Sequence, residues 1–304
     1  MTLPIILMSH SKCIGDSYIG VVSRFNVPQE YTSWKKQFPT YSPVNYNDPS
    51  FLSAKPPVWA DSMDVKTVDF SKRLVYGTIT MKDGLPLNPV GRTGVVGRGV
   101  LGKWGPNSAG DPLFTKWKRD SKGDIVKVNG KPIMMFVAIE RTDGGDGGNA
   151  RFALPGGMVD YGESVSQTIL REFNEEALGG LQTDEIKNIT AQLTRMMNET
   201  GKIIYRGYVD DRRNTDNAWM VTTCMHVHDD SGSVFDKFPL KGGDDAKQAF
   251  WMEYHPGMED FTLYASHADW VKSAYDSLVD DTPSQSWWDR FRNMFNDYIT
   301  CRFT

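Results

Sequence analysis

Three glutamate residues crowd into little more than one helical turn of the stretch "REFNEEALGG". Glu172, Glu175 and Glu176 are spaced i, i+3 and i+4, so their side chains would be neighbours on a helix. Like charges at these spacings repel each other and destabilise an isolated helix. A divalent cation would remove the repulsion, and carboxylate oxygens suit Mg²⁺ or Mn²⁺ better than zinc. The alternative is an acidic helix face that water solvates without any metal.

A helix that begins near residue 165 must position these glutamates. Ser164 and Gln167 have the spacing of a capping box, which marks a helix start. Apolar residues then recur at steps of four: Val165, Ile169, Phe173 and Ala177. The pattern predicts a helix that ends near Leu178, before a glycine pair. Glu176 points close to the apolar stripe, so we expect it to be partly buried, where a lone carboxylate is costly.

The turn and helix together resemble the Nudix box, G-x5-E-x7-R-E-U-x-E-E-x-G-U, in which U is an apolar residue. The sequence matches this pattern at seven positions: Gly157, Glu163, Arg171, Glu172, Phe173, Glu175 and Glu176. It departs at the last two positions, where Leu178 and Gly179 stand. Because the departure falls at the helix end, it leaves the acidic positions unchanged.

The resemblance implies a hydrolase that cleaves a nucleoside diphosphate linked to another group. Glu172, Glu175 and Glu176 would bind Mg²⁺, or alternatively Mn²⁺, with help from the backbone carbonyl of Gly156. Arg171 would orient the glutamates through a salt bridge with Glu163. The metal would neutralise the pyrophosphate, hold it in line and acidify an attacking water.

The resemblance extends over residues 26–275 to the animal ADP-ribose pyrophosphatases and to the homologous domain of melastatin-type TRP cation channels. Five further stretches carry it: "NPVGRTGVVGRGVLGKWGPN", "TKWKRD", "FALPGGMVD", "GYVDDRRNTDNAWM" and "LYASH". By that likeness the substrate is ADP-ribose, and the products are AMP and ribose 5-phosphate.

The same resemblance implies which residues contact ADP-ribose. They are Asp211, Arg213, Leu263, Tyr264, Ser266 and His267. Tyr264 would stack on adenine, and His267 would hydrogen-bond to or pair with phosphate. Arg212 stands where relatives often have proline. Without the resemblance, Asp211 and Arg213 would be interpreted as a surface ion pair and Tyr264 as a half-buried aromatic residue.

A second functional class is a binding module, namely a channel domain that senses ADP-ribose without cleaving it. Some non-cleaving relatives have lost the acidic residues of the box, whereas this sequence keeps all three glutamates. Their presence favours cleavage. Other domains or subunits of a channel are then the expected protein partners.

Composition excludes several partners. The chain has 304 residues and a formal net charge of -4, which gives no electrostatic footprint for nucleic acid or an anionic membrane. No apolar run approaches the length of a transmembrane helix. Cys13, Cys224 and Cys301 form neither a CxxC pair nor a zinc spacing, which predicts reduced thiols in an intracellular protein. The cytosol, the cytosolic face of a channel and the mitochondrion are all consistent with this.

Strands that alternate with helices predict an α/β protein with the Nudix fold, a mixed sheet between helices. We expect a smaller N-terminal lobe at residues 1–111, the Nudix domain at 112–283 and an aromatic-rich helix at 284–304. The glycine- and proline-rich residues 82–112 are predicted to be a long loop held close to another part of the chain. The terminal helix either packs on its own domain or docks on another subunit, and its deletion should leave hydrolysis largely intact.

Other patterns are weaker. Residues 97–102 match the dinucleotide fingerprint G-x-G-x-x-G, but no helix follows them, so a Rossmann site is excluded. Arg92 and Arg98 are expected to contact the other lobe or a phosphate. His226 and His228 share one face of a strand with no third ligand, and are predicted to lie on an ordinary exposed face.

Overall fold

A computed structural model describes residues 10–73, 78–141, 151–160, 162–179, 184–241 and 246–279. The helix predicted at 284–304 and the third cysteine, Cys301, lie outside these ranges. No helix within them is both long and apolar enough to cross a bilayer.

The N-terminal lobe is built from short strands and single 3₁₀ turns. Its strands are β1 (Ser17–Tyr18), β2 (Val22–Ser23), β3 (Val44–Asn47), β4 (Thr80–Lys82), β5 (Leu85–Leu87) and β6 (Val95–Gly99). They pair as β1 with β2, β3 with β6 and β4 with β5. The 3₁₀ turns are Gln29–Tyr31, Pro49–Leu52, Val65–Thr67 and Phe70–Lys72.

Buried arginines and aromatic rings hold this irregular lobe together. Arg92 donates to the carbonyls of Tyr31 and Ser33 at 2.8 and 2.7 Å. Arg98 donates to the carbonyls of Asp61 and Gly102 at 2.6 and 2.7 Å. The prediction that these arginines contact the other lobe or a phosphate is therefore wrong, since their guanidinium groups satisfy buried carbonyls inside their own lobe.

Nine strands follow. They are β7 (Gly105–Trp117), β8 (Lys127–Val128), β9 (Lys131–Pro132), β10 (Met134–Arg141), β11 (Phe152–Ala153), β12 (Gly157–Met158), β13 (Lys202–Tyr208), β14 (Ala218–Asp229) and β15 (Ala246–Tyr254). Strands β8 and β9 form a hairpin, and the other seven form one mixed sheet. Its order is β11-β10-β7-β14-β13, with β12 added to β7 and β15 added to β10. Only the pair of β14 and β7 is parallel among these described strands.

The sheet splits between β7 and β10. The two strands pair over only three residues, Met134–Phe136 of β10. Beyond that point β10 pairs with β11, while β7 pairs with β12 at Gly110 and Ala109. The short segment 152–158 therefore crosses the gap between two diverging strands. A gap in a sheet exposes backbone groups and side chains that a continuous sheet would cover.

The glycine-rich stretch 82–112 is not the long loop that its composition predicts. Residues 95–99 form β6, and residues 105–111 form the first half of β7, the strand paired with β14 along its length. Glycine and small residues are tolerated there because the partner strands and α1 approach closely: a Cβ on Gly110 would lie 3.2 Å from Ile169. The expected lobe boundary at 111/112 falls inside this strand.

Three helices cover the two faces of the sheet. They are α1 (Val165–Glu172), α2 (Asp184–Thr200) and α3 (His267–Val279). Side chains of β10 alternate between the faces: Val137 and Ile139 pack with α1 and α2, whereas Phe136 and Ala138 pack with α3. A strand buried on both faces is expected to be apolar, as β10 is from Met134 to Ile139.

The paired histidines of β14 are buried, so the prediction of an exposed strand face is wrong. His226 is 2% exposed, and the hydroxyl oxygen of Thr115 lies 2.7 Å from its Nε2. The same oxygen lies 2.8 Å from Nδ1 of His228. The alternation of side chains along β14 could not show this burial. The neighbouring strand β7 and its Thr115 cover the histidine face.

The buried carboxylate of Asp216 accepts hydrogen bonds that join the two lobes. Its Oδ1 accepts from the backbone N–H and hydroxyl of Thr93 at 2.7 and 2.9 Å, and its Oδ2 accepts from Tyr41 at 2.7 Å. Burial raises the pKa of Asp216 to about 6, and these donors oppose the shift. The adjacent Asn217 donates to the carbonyl of Pro86 at 2.9 Å.

Removing the Asp216 carboxylate should weaken the lobe junction. In Asp216→Ala the Thr93 and Tyr41 donors lose their acceptor in a buried site, which costs about 3 kcal/mol of unfolding free energy. Urea unfolding followed by tryptophan fluorescence measures the change. The control is Asp124→Ala in an exposed turn, and equal stability of the two variants would contradict the role of Asp216.

The buried histidines should make stability depend on pH. Burial is the main cause that lowers the pKa of His226 to about 3 and that of His228 to about 4. The unfolded chain, with a histidine pKa of about 6.5, binds more protons between pH ~4 and ~6.5. The free energy of unfolding should therefore fall as the pH drops through this window.

In His226→Gln this slope should be shallower by about 1.4 kcal/mol per pH unit, the contribution of one proton. Unfolding free energies measured in urea at a series of pH values give the slope. His255→Gln, in a turn after β15, serves as the control and should keep the wild-type slope. An unchanged slope in His226→Gln would show that His226 does not titrate differently on unfolding.

Candidate active site

Helix α1 brings the acidic residues of the box to the gap in the sheet. The capping box forms as predicted, with Ser164 and Gln167 each accepting from the backbone N–H of the other. The predicted helix also ends at Leu178, but its last turn, Phe173–Ala177, is a π-helix. Such wider turns are frequent at functional sites. The turn changes the directions in which Glu175 and Glu176 leave the helix axis.

Arg171 binds most of the acidic side chains of the box. Its Nε and Nη2 donate to the two oxygens of Glu163, both at 3.0 Å. Its Nη1 donates to Glu172 at 2.7 Å and to Glu175 at 3.0 Å. Burial would raise the pKa of Glu163, but hydrogen bonds from Arg171 and Thr168 outweigh it, so that the pKa is lowered. Arg171 therefore fixes the carboxylates of Glu163, Glu172 and Glu175 in place.

Glu176 stands apart from that arginine. It is 7% exposed, and one of its oxygens accepts the backbone N–H of Gly156 at 2.8 Å. Burial raises the pKa of Glu176 to about 8, and the charge of Glu172 also raises it. The hydrogen bond from Gly156 acts in the opposite direction and lowers the pKa. Glu172 also has a raised pKa because of burial, although Arg171 opposes the shift.

Asp111 of β7 adds a fourth carboxylate, which the sequence analysis missed. It accepts a hydrogen bond from the hydroxyl of Thr222, and burial raises its pKa to about 7. A Cβ on Gly156, whose φ is +157°, would lie 2.3 Å from Asp111 Oδ1, and one on Gly157 would lie 2.2 Å from a Glu172 oxygen. The glycine turn therefore leaves room for carboxylates that any side chain would displace.

This donor set fits a hard divalent cation. The raised pKa values of Asp111, Glu172 and Glu176 show that burial and mutual repulsion oppose their negative charge. Oxygen ligands in this arrangement suit a divalent ion such as Mg²⁺ or Mn²⁺. The predicted ligands Glu172, Glu175, Glu176 and Gly156 thus lie together around the gap, with Asp111 beside them.

Asp211 and Arg213, two of the predicted substrate-binding residues, form a salt bridge. Arg213 donates through Nε and Nη2 to the two oxygens of Asp211, both at 2.8 Å. Burial would raise the pKa of Asp211, but the Arg213 charge and hydrogen bonds outweigh it, so that the pKa is lowered. The arginine side chain keeps 36% of its surface exposed, so it is accessible to a ligand.

The N-terminal lobe holds the backbone of the loop around this pair. Arg24 donates to the carbonyl of Arg212 at 2.7 Å and to that of Asn214 at 3.4 Å. The Tyr18 hydroxyl donates to the carbonyl of Arg213 at 2.8 Å. These contacts fix the backbone of the loop from Arg212 to Asn214.

The remaining predicted substrate residues lie at the start of α3. His267 is buried, accepts the backbone N–H of Leu154 at 2.9 Å, and its Nε2 lies 4.0 Å from Asp111. Burial lowers its pKa to about 3, and it is therefore a neutral imidazole. Tyr264 is half-buried, Ser266 is exposed, and Leu263 belongs to the core cluster on the α3 face.

Two basic residues that the sequence analysis missed lie beside Tyr264. The Arg141 guanidinium is 4.5 Å from the centre of the tyrosine ring, and Lys12 Nζ is 5.8 Å from it. Both contribute to the lowered pKa of His267, after burial, and Arg141 also acts on Glu176. Arg141 and Lys12 thus place positive charge beside the Tyr264 ring, and Arg141 also lies close enough to Glu176 to affect its pKa. The sequence could have indicated Arg141, because it is a basic residue at the end of a strand that begins with six apolar residues.

Comparison with known proteins agrees with this geometry. A family model described as "NUDT9-like, N-terminal domain" matches residues 27–105, and one described as "NUDIX domain" matches residues 124–272. The mitochondrial ADP-ribose pyrophosphatase of Rattus norvegicus is 42% identical over 280 residues, which cover 87% of this chain and 77% of that protein.

Two channel proteins are also similar. Transient receptor potential cation channel subfamily M member-like 2 of Nematostella vectensis is 42% identical over 86% of this chain, but the match covers only 17% of the channel. Subfamily M member 2 of Mus musculus is 30% identical over 68% of this chain and 13% of its own length. With a NUDIX domain match, all acidic positions of the box and this level of identity over most of its length, the chain belongs to the Nudix hydrolase family.

Proposed function

We propose that the protein hydrolyses ADP-ribose to AMP and ribose 5-phosphate with the help of a divalent metal, Mg²⁺ or alternatively Mn²⁺. The observation that carries the proposal is the set of largely buried carboxylates, Asp111, Glu172 and Glu176, whose charges act on one another at the Gly156 turn. The 42% identity to an ADP-ribose pyrophosphatase over most of both chains supports the choice of substrate.

The box residues would hold the metal. Glu172, Glu175 and Glu176 would be ligands, with the Gly156 carbonyl as a further donor. A bound divalent cation neutralises phosphate charge and lowers the pKa of bound water. Arg171 orients Glu172 and Glu175 through hydrogen bonds, and the buried Glu176 keeps its place through the Gly156 N–H. Preorganised ligands reduce the reorganisation that catalysis requires.

Groups outside the box would bind the substrate. Arg213 would donate to an oxygen of ADP-ribose while Asp211 holds its guanidinium plane. Arg141 and Lys12 would offset the charge of the diphosphate, and the ring of Tyr264 would stack on the adenine. Leu263, Ser266 and His267 would complete this wall, with the neutral His267 acting through hydrogen bonds. Binding and cleavage would thus depend on different elements.

A second candidate function is ADP-ribose sensing within a cation channel. The similarity to subfamily M channels over 86% and 68% of this chain supports it. Sensing does not exclude cleavage, and the presence of all three glutamates of the box favours an active enzyme. Other channel domains or subunits would then be partners, at the cytosolic face of a membrane, whereas similarity to a mitochondrial enzyme supports a mitochondrial or cytosolic location.

Neutralising the box should abolish turnover without abolishing binding. In the double variant Glu175→Gln and Glu176→Gln, shape is kept while charge for the metal is lost, so kcat should fall by about 100-fold or more. AMP release at fixed Mg²⁺ gives kcat, and calorimetry with ADP-ribose gives the Kd. The exposed Glu199→Gln serves as a control. Near-normal turnover in the double variant would remove the metal-ligand assignment.

Arg213→Ala should act mainly on binding. A lost charge-assisted hydrogen bond of about 1.5–3 kcal/mol raises KM by roughly 10- to 100-fold, with kcat little changed, because the contact exists in ground and transition states alike. Arg195→Ala, on an exposed face of α2, should behave as wild type. A collapse of kcat at unchanged KM would assign Arg213 to the chemical step instead.

A further inference from the structure

Three potential metal ligands meet at the N-terminal edge of the substrate loop, away from the box. His10, Cys13 and Asp210 each offer one ligand atom, and all three atoms lie within 4.8 Å of one another. His10 is 4% exposed and Cys13 is fully buried. The Sγ of Cys13 lies 2.7 Å from His10 Nδ1. A buried imidazole and a buried thiol beside a partly buried carboxylate are not a solvated surface cluster.

The hydrogen bonds around Asp210 leave part of this cluster unsatisfied. Its Oδ2 accepts from the backbone N–H and hydroxyl of Ser11 at 2.7 and 2.6 Å, and from the N–H of Lys12 at 3.0 Å. Its Oδ1 is buried and has no hydrogen-bond partner among the described residues, and neither has Nε2 of His10. Unsatisfied buried polar atoms require an explanation, and one explanation is a bound ion.

We propose that His10, Cys13 and Asp210 form a binding site for a zinc-type cation, which ties the N-terminal segment to the substrate loop. One sulfur, one nitrogen and one oxygen ligand suit Zn²⁺, whereas the oxygen-only box suits Mg²⁺. On binding, the thiol proton leaves to solvent as the metal–sulfur bond forms. Thiolate and carboxylate then balance the two charges of the cation.

The distances allow such a site with small side-chain movements. Sulfur and nitrogen ligands of a tetrahedral zinc ion lie roughly 3.5 Å apart, so Cys13 and His10 must separate by about 1 Å from their 2.7 Å contact. The Tyr208 hydroxyl lies 3.3 Å from His10 Nδ1 and 4.0 Å from the sulfur, at the edge of the cluster. Three protein ligands leave the fourth zinc position to water.

The spacing alone did not reveal the site. His10 and Cys13 are three residues apart, but the third ligand comes from residue 210, at the end of a segment that follows β13. The site would join two segments of the chain. One contains Lys12, which lies near Tyr264, and the other contains Asp210, which directly precedes the Asp211–Arg213 pair. A cation there would hold one wall of the cleft, although the site does not depend on the proposed hydrolysis.

Cobalt titration tests the site in the full 304-residue chain. The metal-stripped, reduced protein is titrated with Co²⁺ under anaerobic conditions. We expect one Co²⁺ per chain with near-ultraviolet thiolate-to-metal charge-transfer absorption, which Zn²⁺ then displaces. Co²⁺ bound by the carboxylates of the box gives no thiolate band. The band should therefore persist in the double variant Glu175→Gln and Glu176→Gln, whatever its hydrolytic activity.

Single variants locate the ligands. Cys13→Ser should abolish the band, and Asp210→Asn should weaken Co²⁺ affinity by about tenfold or more. Cys224→Ala removes another buried thiol and should leave the band intact. Absence of the band in the wild type overturns the proposal, and so does its survival in Cys13→Ser, which would assign it to Cys224 or Cys301.

A measurement on the wild-type chain covers the case in which Cys13→Ser does not fold. Zn²⁺ should slow the alkylation of Cys13 at least several-fold, as followed by mass spectrometry of the Cys13 peptide. The alkylation rate of the Cys224 peptide provides the internal control. Equal rates for Cys13 with and without Zn²⁺ would overturn the proposal.

Discussion

Negative charge buried beside the gap in the sheet is the constraint on which the active site depends. Asp111 and Glu176 are each less than a tenth exposed, and both have pKa values raised by burial. Within the described residues, Arg171 donates hydrogen bonds to the other acidic residues of the box but not to these two carboxylates. Burial of uncompensated carboxylates costs several kcal/mol, and a cation between them removes that cost. The stability of the metal-free fold and the affinity for a metal are therefore linked.

Several local features of the chain follow from this constraint. Strands β7 and β10 diverge, so that the turn at Gly156 and Gly157 can enter the gap. Both positions exclude a Cβ because carboxylates occupy the adjacent space. The π turn at Phe173–Ala177 directs Glu176 toward the turn while Phe173 stays in the core. Each feature is locally unfavourable and is maintained by the surrounding packing.

The substrate side is built from different elements. Residues Asp211 and Arg213 lie on a loop whose backbone is held by Tyr18 and Arg24 of the N-terminal lobe. His267 begins α3, on the opposite face of the sheet from α1, whereas Tyr264 lies just before α3 and packs against the core cluster of the α1 face. In the proposed function, recognition and metal binding use separate elements, so acidic residues of the box can be lost without changing Asp211, Arg213 or Tyr264. This separation gives a physical basis for catalytic and sensing functions on one fold.

The sequence by itself determined the box, its helix and the substrate stretches, because these depend on local spacing and capping. Glu163 to Glu176 act within one loop and helix, where residues close in sequence are close in space. Only the tertiary structure placed Asp111, which composition assigned to a loop, in a central strand beside Glu172 and Gly156. It likewise buried His226 and joined Cys13 to Asp210, because strand pairing and long-range packing decide which faces are covered and which distant ligands meet.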